Sequence, residues 1–287
     1  MTTSDTASIQ TGFDPAILSR CRLPVRTAKG VSRPGAILSN HPGSGWEMHS
    51  VRSYEYGDDP RRVDWNASAR TGELQVRTGL ADVSVQLHLL PLLDGSMRFG
   101  SVRTKHAVAV EALAFLAALA ARRGDRTVLQ TGPQERLLLP ARRPETLLAA
   151  LLDQTPGWED VSVSVEALES LRPPVRPTLL AVVGDLLSLP GLLAALESDT
   201  RDLLLVVVVD PLETDPPPAS PVLVGHRGTG FHHGGISGTV RERYLAEVDA
   251  RLAAARRHVA LVSGTLLVLR TDESVSARML ETLGGTR

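Results

Sequence analysis

From residue 83 onward the chain alternates between short apolar runs and longer segments of helical period. "VSVQLHLLPLL" (83–93), "TLLAVVGD" (178–185) and "DLLLVVVVDP" (202–211) are almost uninterrupted apolar stretches of strand length. A half-solvated strand would alternate with period two, so strands apolar on both sides belong in a parallel sheet covered on both faces. "RTVLQT" (126–131) and "LLVLRT" (266–271) read as further strands, and "ERLLLP" (135–140) as an antiparallel edge strand. Helices fall between them. One runs from Thr104 to Arg123 with Val108, Leu113, Leu116, Ala117 and Ala120 along one side, and "PETLLAALLDQ" starts at Pro144. A Leu-rich helix follows near 189–197, another from about Val240 to Arg257, and a short one closes the chain. Strands alternating with helices are βαβ units, which predicts an α/β domain over 80–287, its parallel sheet flanked by helices on both faces.

The first 79 residues follow another pattern. Residues 1–24 read as a polar tail and a short helix, "DPAILSRC", with Asp14 as N-cap and Pro15 in the first turn. Residues 25–79 read as β-rich, because "AKGVSRPGAILSNHPGSGWEMHSV" (28–51) sets glycines and prolines between short apolar pieces. "GDDPRRVDWNASAR" (57–70) predicts one helical element, with Asp59 as cap, Pro60 in the first turn and Thr71-Gly72 at its end. "ELQVR" (73–77) resumes as a strand. Far downstream, "GHRGTGFHHGG" (225–235) reads as a Gly-rich surface loop carrying His226, His232 and His233. No further zinc ligands accompany those histidines in a defined array, so a metal role is not assigned to them.

Composition narrows the function classes. A formal net charge of −1 supplies no general attraction to nucleic acid or anionic lipid. The longest apolar run, Ala112 to Ala121, is far too short to span a bilayer, and the polar N-terminus lacks a signal-peptide pattern. The single cysteine, Cys21, suits a reducing compartment. The expectation is a cytoplasmic protein with no direct membrane insertion and no nucleic-acid partner. No Walker motif and no Gly-x-Ser-x-Gly elbow occurs, so ATP hydrolysis would have to come from a partner.

Candidate chemistry concentrates in "RSYEYGDDPRRVDWNASARTG" (52–72). Of ten aromatics in 287 residues, Trp46, Tyr54, Tyr56 and Trp65 lie in or just before it. Arg52, Glu55, Asp58, Asp59, Arg61, Arg62, Asp64 and Arg70 interleave opposite charges. Such interleaving predicts an ion-pair network that fixes a shape, with Trp65 as an anchor, rather than carboxylates tuned for acid–base work. The candidate interaction residues are therefore Arg52, Tyr54, Asp58, Asp59, Arg61, Arg62, Asp64, Trp65 and Arg70.

This stretch, extended to "RSYEYGDDPRRVDWNASARTGELQVR" and followed by "SMRFGS" and "TKHAVAVEALAFLAALAARRGD", is similar to the bacterial family known as domain of unknown function 58. "GSGWE" upstream and "VVGD" downstream extend the similarity over roughly residues 25–275. The resemblance implies a Rossmann-like, von Willebrand factor A-like fold, no established catalytic activity, and a MoxR-type AAA+ ATPase as partner in chaperone-like complex assembly. It also implies a place to look for a metal. A-type domains carry an adhesion-site loop of the form Asp-x-Ser-x-Ser at the strand ends, where hydroxyl and carboxylate oxygens suit Mg²⁺. In "PLLDGSMRFGS" that motif is degraded. Aligned on Ser96-Met97, the leading Asp position is Leu92, the first Ser position is Asp94 and only Ser96 matches; aligned on Asp94, Asp94 and Ser96 match but Arg98 stands where the last serine belongs, a fixed positive charge in place of an oxygen. The downstream acid is Asp185; Thr146 falls inside the helix begun at Pro144.

Two readings result. The preferred one is a non-enzymatic interaction module, its surface made by residues 46–77 together with the Asp94 and Asp185 loops. No cofactor is expected, and at most weak Mg²⁺ binding at Asp94, Ser96 and Asp185. The alternative is a Mg²⁺-assisted hydrolase that brings Asp94, Asp185 and one of the 58–64 aspartates around one ion.

Overall fold

The structure is a computed structural model that describes residues 12–25, 38–56, 58, 60–82, 85–130, 132, 135–154, 166, 168, 178–196, 201–216, 221–226, 230–235 and 238–284. In chain order the elements are α1 (Pro15–Arg20), β1 (Leu38–Ser53), α2 (Trp65–Thr71), β2 (Gln75–Asp82), β3 (Gln86–Pro91) and α3 (Lys105–Arg122). They continue with β4 (Arg126–Gln130), β5 (Arg136–Leu138), α4 (Pro144–Gln154), β6 (Thr178–Asp185), α5 (Leu189–Leu196) and β7 (Asp202–Val209). The last are α6 (Pro211–Thr214), β8 (Pro221–His226), β9 (Gly230–Gly235), α7 (Gly238–Leu261), β10 (Thr265–Arg270) and α8 (Val275–Leu283).

Among the described residues the main sheet has six strands in the order β10-β7-β6-β3-β4-β5. All neighbours run parallel except β5, which lies antiparallel on β4 at the edge, as "ERLLLP" predicts. The apolar runs occupy the centre. Every residue of β6 is buried, and so are the seven following Asp202 in β7. Leu87, Leu89, Ala181, Val183, Leu204, Val206 and Val208 face a core shared with α3, α4 and α8. Leu90, Leu180, Val182, Leu205, Val207 and Val209 face the other core, against α5 and α7. Each of these leucines and valines taken fully from water contributes roughly 1.5–3 kcal/mol. The two-faced covering follows from the sequence pattern: strands apolar on both sides leave no face for water.

Helix α3 departs from the one-sided pattern read for it. Every residue from Val108 to Ala120 is buried, including Glu111, whose Oε2 pairs with Arg103 Nη1 at 2.7 Å. Small alanines on the remaining sides let α4, α8 and α1 pack around it, and a helix apolar all round is a core helix.

The N-terminal part also differs from expectation. From residue 38, where the described residues resume, the small strands and turns are one long strand, β1, paired antiparallel with β2 through three register shifts. Two of the three shifts, between Leu38 and Pro42 and between Gly43 and Met48, border "HPGSG", where glycine and proline interrupt the strand; the third lies between Met48 and Ser50. The single helix expected over 57–70 is split. A 3₁₀ turn at Pro60–Arg62 ends where Val63 bridges to Val76, and α2 begins afresh with Asp64 as its N-cap. Asp59, expected to cap, lies outside the described residues. Of the "GHRGTGFHHGG" loop, Gly225 and His226 end β8 and Gly230–Gly235 form β9, antiparallel to it, with Val224 opposite His232 and Leu223 opposite His233. Two short runs joined by a Gly-containing connection are a hairpin signal that glycine content alone obscures.

Candidate functional site

The chain leaves β3 toward β4 on one side and returns to β6 on the other, so the loops after β3 and β6 diverge. Such a switch point opens a crevice at the carboxyl ends of the strands. Asp94 follows β3 and caps a 3₁₀ turn at Gly95–Arg98, its Oδ1 accepting from Ser96 N at 2.8 Å. Asp185 ends β6. The Ser96 hydroxyl lies between Asp94 Oδ1 and Asp185 Oδ2, its one proton serving one acceptor at a time. The three sequence-predicted metal candidates therefore do converge.

The cation they meet belongs to the chain itself. Lys105, the first residue of α3, extends its ammonium to Asp185 Oδ2 at 2.8 Å and to Glu213 Oε1 of α6 at 2.6 Å. It is 1% exposed and lies 5.9 Å from the centroid of the Phe99 ring. A cation at a helix N-terminus opposes the helix dipole, so this position needs carboxylates to offset it. Burial by itself would push the Lys105 pKa down, but Asp185 and Glu213 outweigh it and raise it. Burial would likewise raise Asp185; Lys105, then the Ser96 hydroxyl and the Ser188 amide, hold its carboxyl below the ordinary value. Asp185 Oδ1 is occupied as well, accepting from Leu187 N at 2.9 Å and Ser188 N at 3.2 Å. The fixed positive charge expected at Arg98 is thus supplied by Lys105, because Arg98 sits on the exposed side of its turn.

A second buried acid extends the network. Asp210, after β7, accepts from Ser101 N at 2.7 Å, Leu212 N at 2.9 Å and Thr271 Oγ1 at 2.6 Å. Burial alone would raise its pKa; Thr271, Ser101 and Leu212 together bring it below the ordinary value. Glu213 Oε2 reaches back to Asp210 N at 2.9 Å, a capping box that aims the other oxygen of Glu213 at Lys105. Four loops are thereby tied together at one end of the sheet.

The 52–72 stretch is braced locally instead. Arg52 pairs with both oxygens of Asp58, at 2.8 and 2.6 Å, and Asp58 Oδ2 also accepts from Glu55 N. Tyr54 Oη donates to Asp58 O at 3.3 Å. Asp64 accepts from Asn66 N and Ala67 N, and Gly72 ends α2 in the left-handed region at φ 76°. Arg70 Nε donates to Asn66 O at 3.3 Å, and Arg61 is exposed. Of Arg62 only the backbone is described here, within the 3₁₀ turn. Trp65 is not a buried anchor. As the first residue of a short helix it is 68% exposed, and Tyr56 is fully exposed. Asp58 and Asp64 make these local bonds, and among the described residues no metal-holding group joins them to Asp94 and Asp185.

Lys105, Glu213 and Asp210 carry the strand-end network, yet sequence reasoning gave none of them a role. One signal was present: a lysine directly after a threonine N-cap, on the wrong end of the helix dipole. Around the cluster Phe99, Val102, Leu187, Leu212 and Tyr244 are exposed apolar side chains, all on elements that leave or border the strand ends. Among the described residues no group of three or more His, Cys, Asp or Glu has a metal-holding arrangement, and no helix is long and apolar enough to cross a membrane.

Comparison with known proteins adds a family. The model of the family described as protein of unknown function DUF58 matches residues 50–253, and the chain belongs to that family. Similar curated proteins include uncharacterized proteins of Mycobacterium bovis and Mycobacterium tuberculosis, 27% identical over 291 residues, covering 96% of this chain and 91% of theirs. Among solved structures, an aerotolerance-related membrane protein from Bacteroides fragilis aligns with 11% identity over 70% of this chain and 98% of its own, at a TM-score of 0.36. A membrane-spanning protein from Vibrio fischeri aligns with 12% identity over 68% of this chain and 94% of its own, at a TM-score of 0.19. At those scores neither likeness carries an argument.

Proposed function

We propose that this member of the DUF58 family is a non-enzymatic interaction module that works with a MoxR-type AAA+ ATPase in chaperone-like assembly or maturation of other proteins. The observation that carries the reading is the exposure of Trp65 and Tyr56 on a segment whose backbone is locked by the Arg52–Asp58 pair and the Asp64 cap. Large aromatics held out on a rigid frame lose little entropy on binding, and aromatic and arginine side chains dominate interface hot spots. Exposed Phe99, Val102 and Leu187 on the loops after β3 and β6 extend the same reading to the strand ends. Counted in chain order, the sheet runs 3-2-1-4-5-6 with the third strand reversed, which supports the Rossmann-like, von Willebrand factor A-like assignment.

The hydrolase alternative needs Mg²⁺ at Asp94, Ser96 and Asp185, and weak Mg²⁺ binding needs the same oxygens. Both readings are weakened by Lys105, whose ammonium takes the oxygen of Asp185 that faces Ser96. The direct test is capture of a purified MoxR-type ATPase on the tagged chain, wild type against Trp65→Ala/Tyr56→Ala. The expected result is retention by the wild type and at least a tenfold weaker complex for the double variant, about 1.4 kcal/mol or more. Equal retention by a folded double variant, or none by the wild type, would overturn the assignment.

A further inference from the structure

We infer that a basic rim at the amino ends of β3 and β4, together with the open edge of β5, docks an acidic extended segment of another polypeptide. The rim gathers arginines from separate elements. Arg22 follows α1, its N–H donating to Leu283 O at the end of α8 at 2.8 Å. Arg122 ends α3, Arg123 is its C-cap, and Arg126 opens β4 opposite Gln86 of β3. Leu139 N donates to Thr127 O at 2.9 Å, so the chain leaves β5 at this same end and carries Arg142 and Arg143 into the start of α4. Arg22, Arg122, Arg126, Arg142 and Arg143 are exposed, and among the described residues none of their side chains has a hydrogen-bond or ion-pair partner. Arg123 is half-buried and faces Asp125 at 3.4 Å. Burial pushes its pKa down, Asp125 opposes that, and the nearby charge of Arg22 pushes it down further, so the guanidiniums crowd one another. The acids bordering the rim among the described residues are Asp125, buried with Oδ1 accepting from Val85 N at 3.0 Å, and Glu145 in the first turn of α4. Compensation of the helix dipole accounts for Arg122, but Arg126, Arg142 and Arg143 lie in no helix's last turn. A chain of net charge −1 therefore holds uncompensated positive charge at one end of its sheet, which calls for a polyanion.

The edge of β5 selects the kind of polyanion. Leu137 faces Leu129 and Leu139 bonds to Thr127, so the N–H and C=O of Leu138 and of Arg136 point away from β4. β5 ends the sheet, and both of those side chains are exposed, Leu138 by 58%. Arg126 shares a face of the sheet with Val128 and Leu138, which puts a guanidinium beside the open edge. Pro140, next in that alternation, has no N–H, so the edge accepts a short extended segment and refuses a long strand. Such a segment pairs its backbone with Leu138, lays an apolar side chain against it, and delivers carboxylates to the rim. A single-stranded nucleic acid would use aromatic platforms, and the described rim residues include none. A lipid surface would use the charges and leave the strand edge idle. The rim lies at the opposite end of the sheet from Lys105 and does not depend on the ATPase reading.

The experiment is fluorescence anisotropy of a labelled peptide of alternating glutamate and valine titrated with the full chain. Wild type is compared with Arg122→Glu/Arg126→Glu, and with Arg98→Glu/Arg243→Glu, which reverses as many exposed arginines away from the rim. Saturable binding by the wild type is expected, weakened on the order of tenfold by 0.5 M salt. The rim variant is expected to bind at least about tenfold more weakly and the control variant within about twofold of wild type. Two further peptides, N-methylated at the valines or at the glutamates, keep every carboxylate; the one blocked on the bonding edge should bind about fivefold more weakly. Labelled oligothymidylate and phosphatidylserine vesicles are expected to bind more weakly than the parent peptide. No saturable peptide binding, equal loss in the control variant, two methylated peptides as tight as the parent, or tighter binding of oligothymidylate or vesicles would each overturn the inference.

Discussion

Replacing Lys105 by methionine keeps the apolar stem and deletes the charge, which isolates what the ammonium does. In the native chain that ammonium faces Asp185 and Glu213. Without it, Asp185 is left as a carboxylate 1% exposed, whereas the side chain of Glu213 is 15% exposed and can turn toward water. Stranding one member of a buried pair costs about 3–5 kcal/mol. Ser96 and the Leu187 and Ser188 amides still donate to Asp185, so the lower end, about 3 kcal/mol, is expected. That corresponds to roughly 6–12 °C in melting temperature. Urea unfolding at neutral pH should move the midpoint and leave the slope unchanged. Lys105→Met/Asp185→Asn should recover much of the loss, because a neutral pair no longer strands a charge. The pH dependence has a definite sign. The folded pKa of Asp185 is depressed, so its contribution is present above the unfolded value of about 3.9 and fades as pH falls toward the folded one. The folded pKa of Lys105 is raised, so its contribution is complete below about 10.4 and is lost as pH climbs through the folded value. The wild-type advantage over Lys105→Met should therefore form a plateau between those limits and shrink on the acid side. A loss under about 1 kcal/mol, or a double variant in which the two losses add, would refute the buried-pair argument.

The remaining predictions are local. Asp64→Ala removes the acceptor for Asn66 N and Ala67 N and should cost about 1 kcal/mol, with faster amide exchange at Ala67; unchanged exchange there would mean the cap is idle. At Asp125 burial raises the carboxyl pKa, and the Val85 amide and Arg123 only partly offset it. The folded state thus gains from neutralising that group, although Arg123 Nε is only 3.4 Å away. Asp125→Asn, which can still accept from Val85 N, should match or slightly exceed the wild type at neutral pH. Asp125→Ala leaves that amide without its acceptor and should lose about 1–3 kcal/mol in urea unfolding. Equal losses in both variants would show that the Arg123 pairing outweighs burial.

Local signals in the chain account for much of the architecture. The apolar run at 178–185 is β6 and that at 202–211 holds β7, and the Asp-Pro at 14–15 and the threonine at 104 start their helices where capping chemistry puts them. The reading failed where a neighbour in space overrode a local cue. Pairing of Val63 with Val76 broke a helix whose start the sequence places at Asp59 and Pro60. A hairpin absorbed a glycine-rich run, and packing from several sides buried a helix read as amphipathic. At the candidate site, Asp94, Ser96 and Asp185 were found because a recognised motif pointed to their positions, while Lys105 and Glu213 were missed because no local pattern joins residues 108 positions apart.

What the sequence settled alone was the kind of layer this chain builds: hydrophobic period, caps and turn residues act over a few positions and need no partner. Strand order decided everything that depends on distant residues meeting. Only when β3 and β6 lie side by side does Ser96 reach Asp185, and only with β7 next in line does Glu213 approach Lys105. Whether a charge is solvated or locked, and whether Trp65 lies in a core or in water, is set by what packs against it, and that exists only in three dimensions.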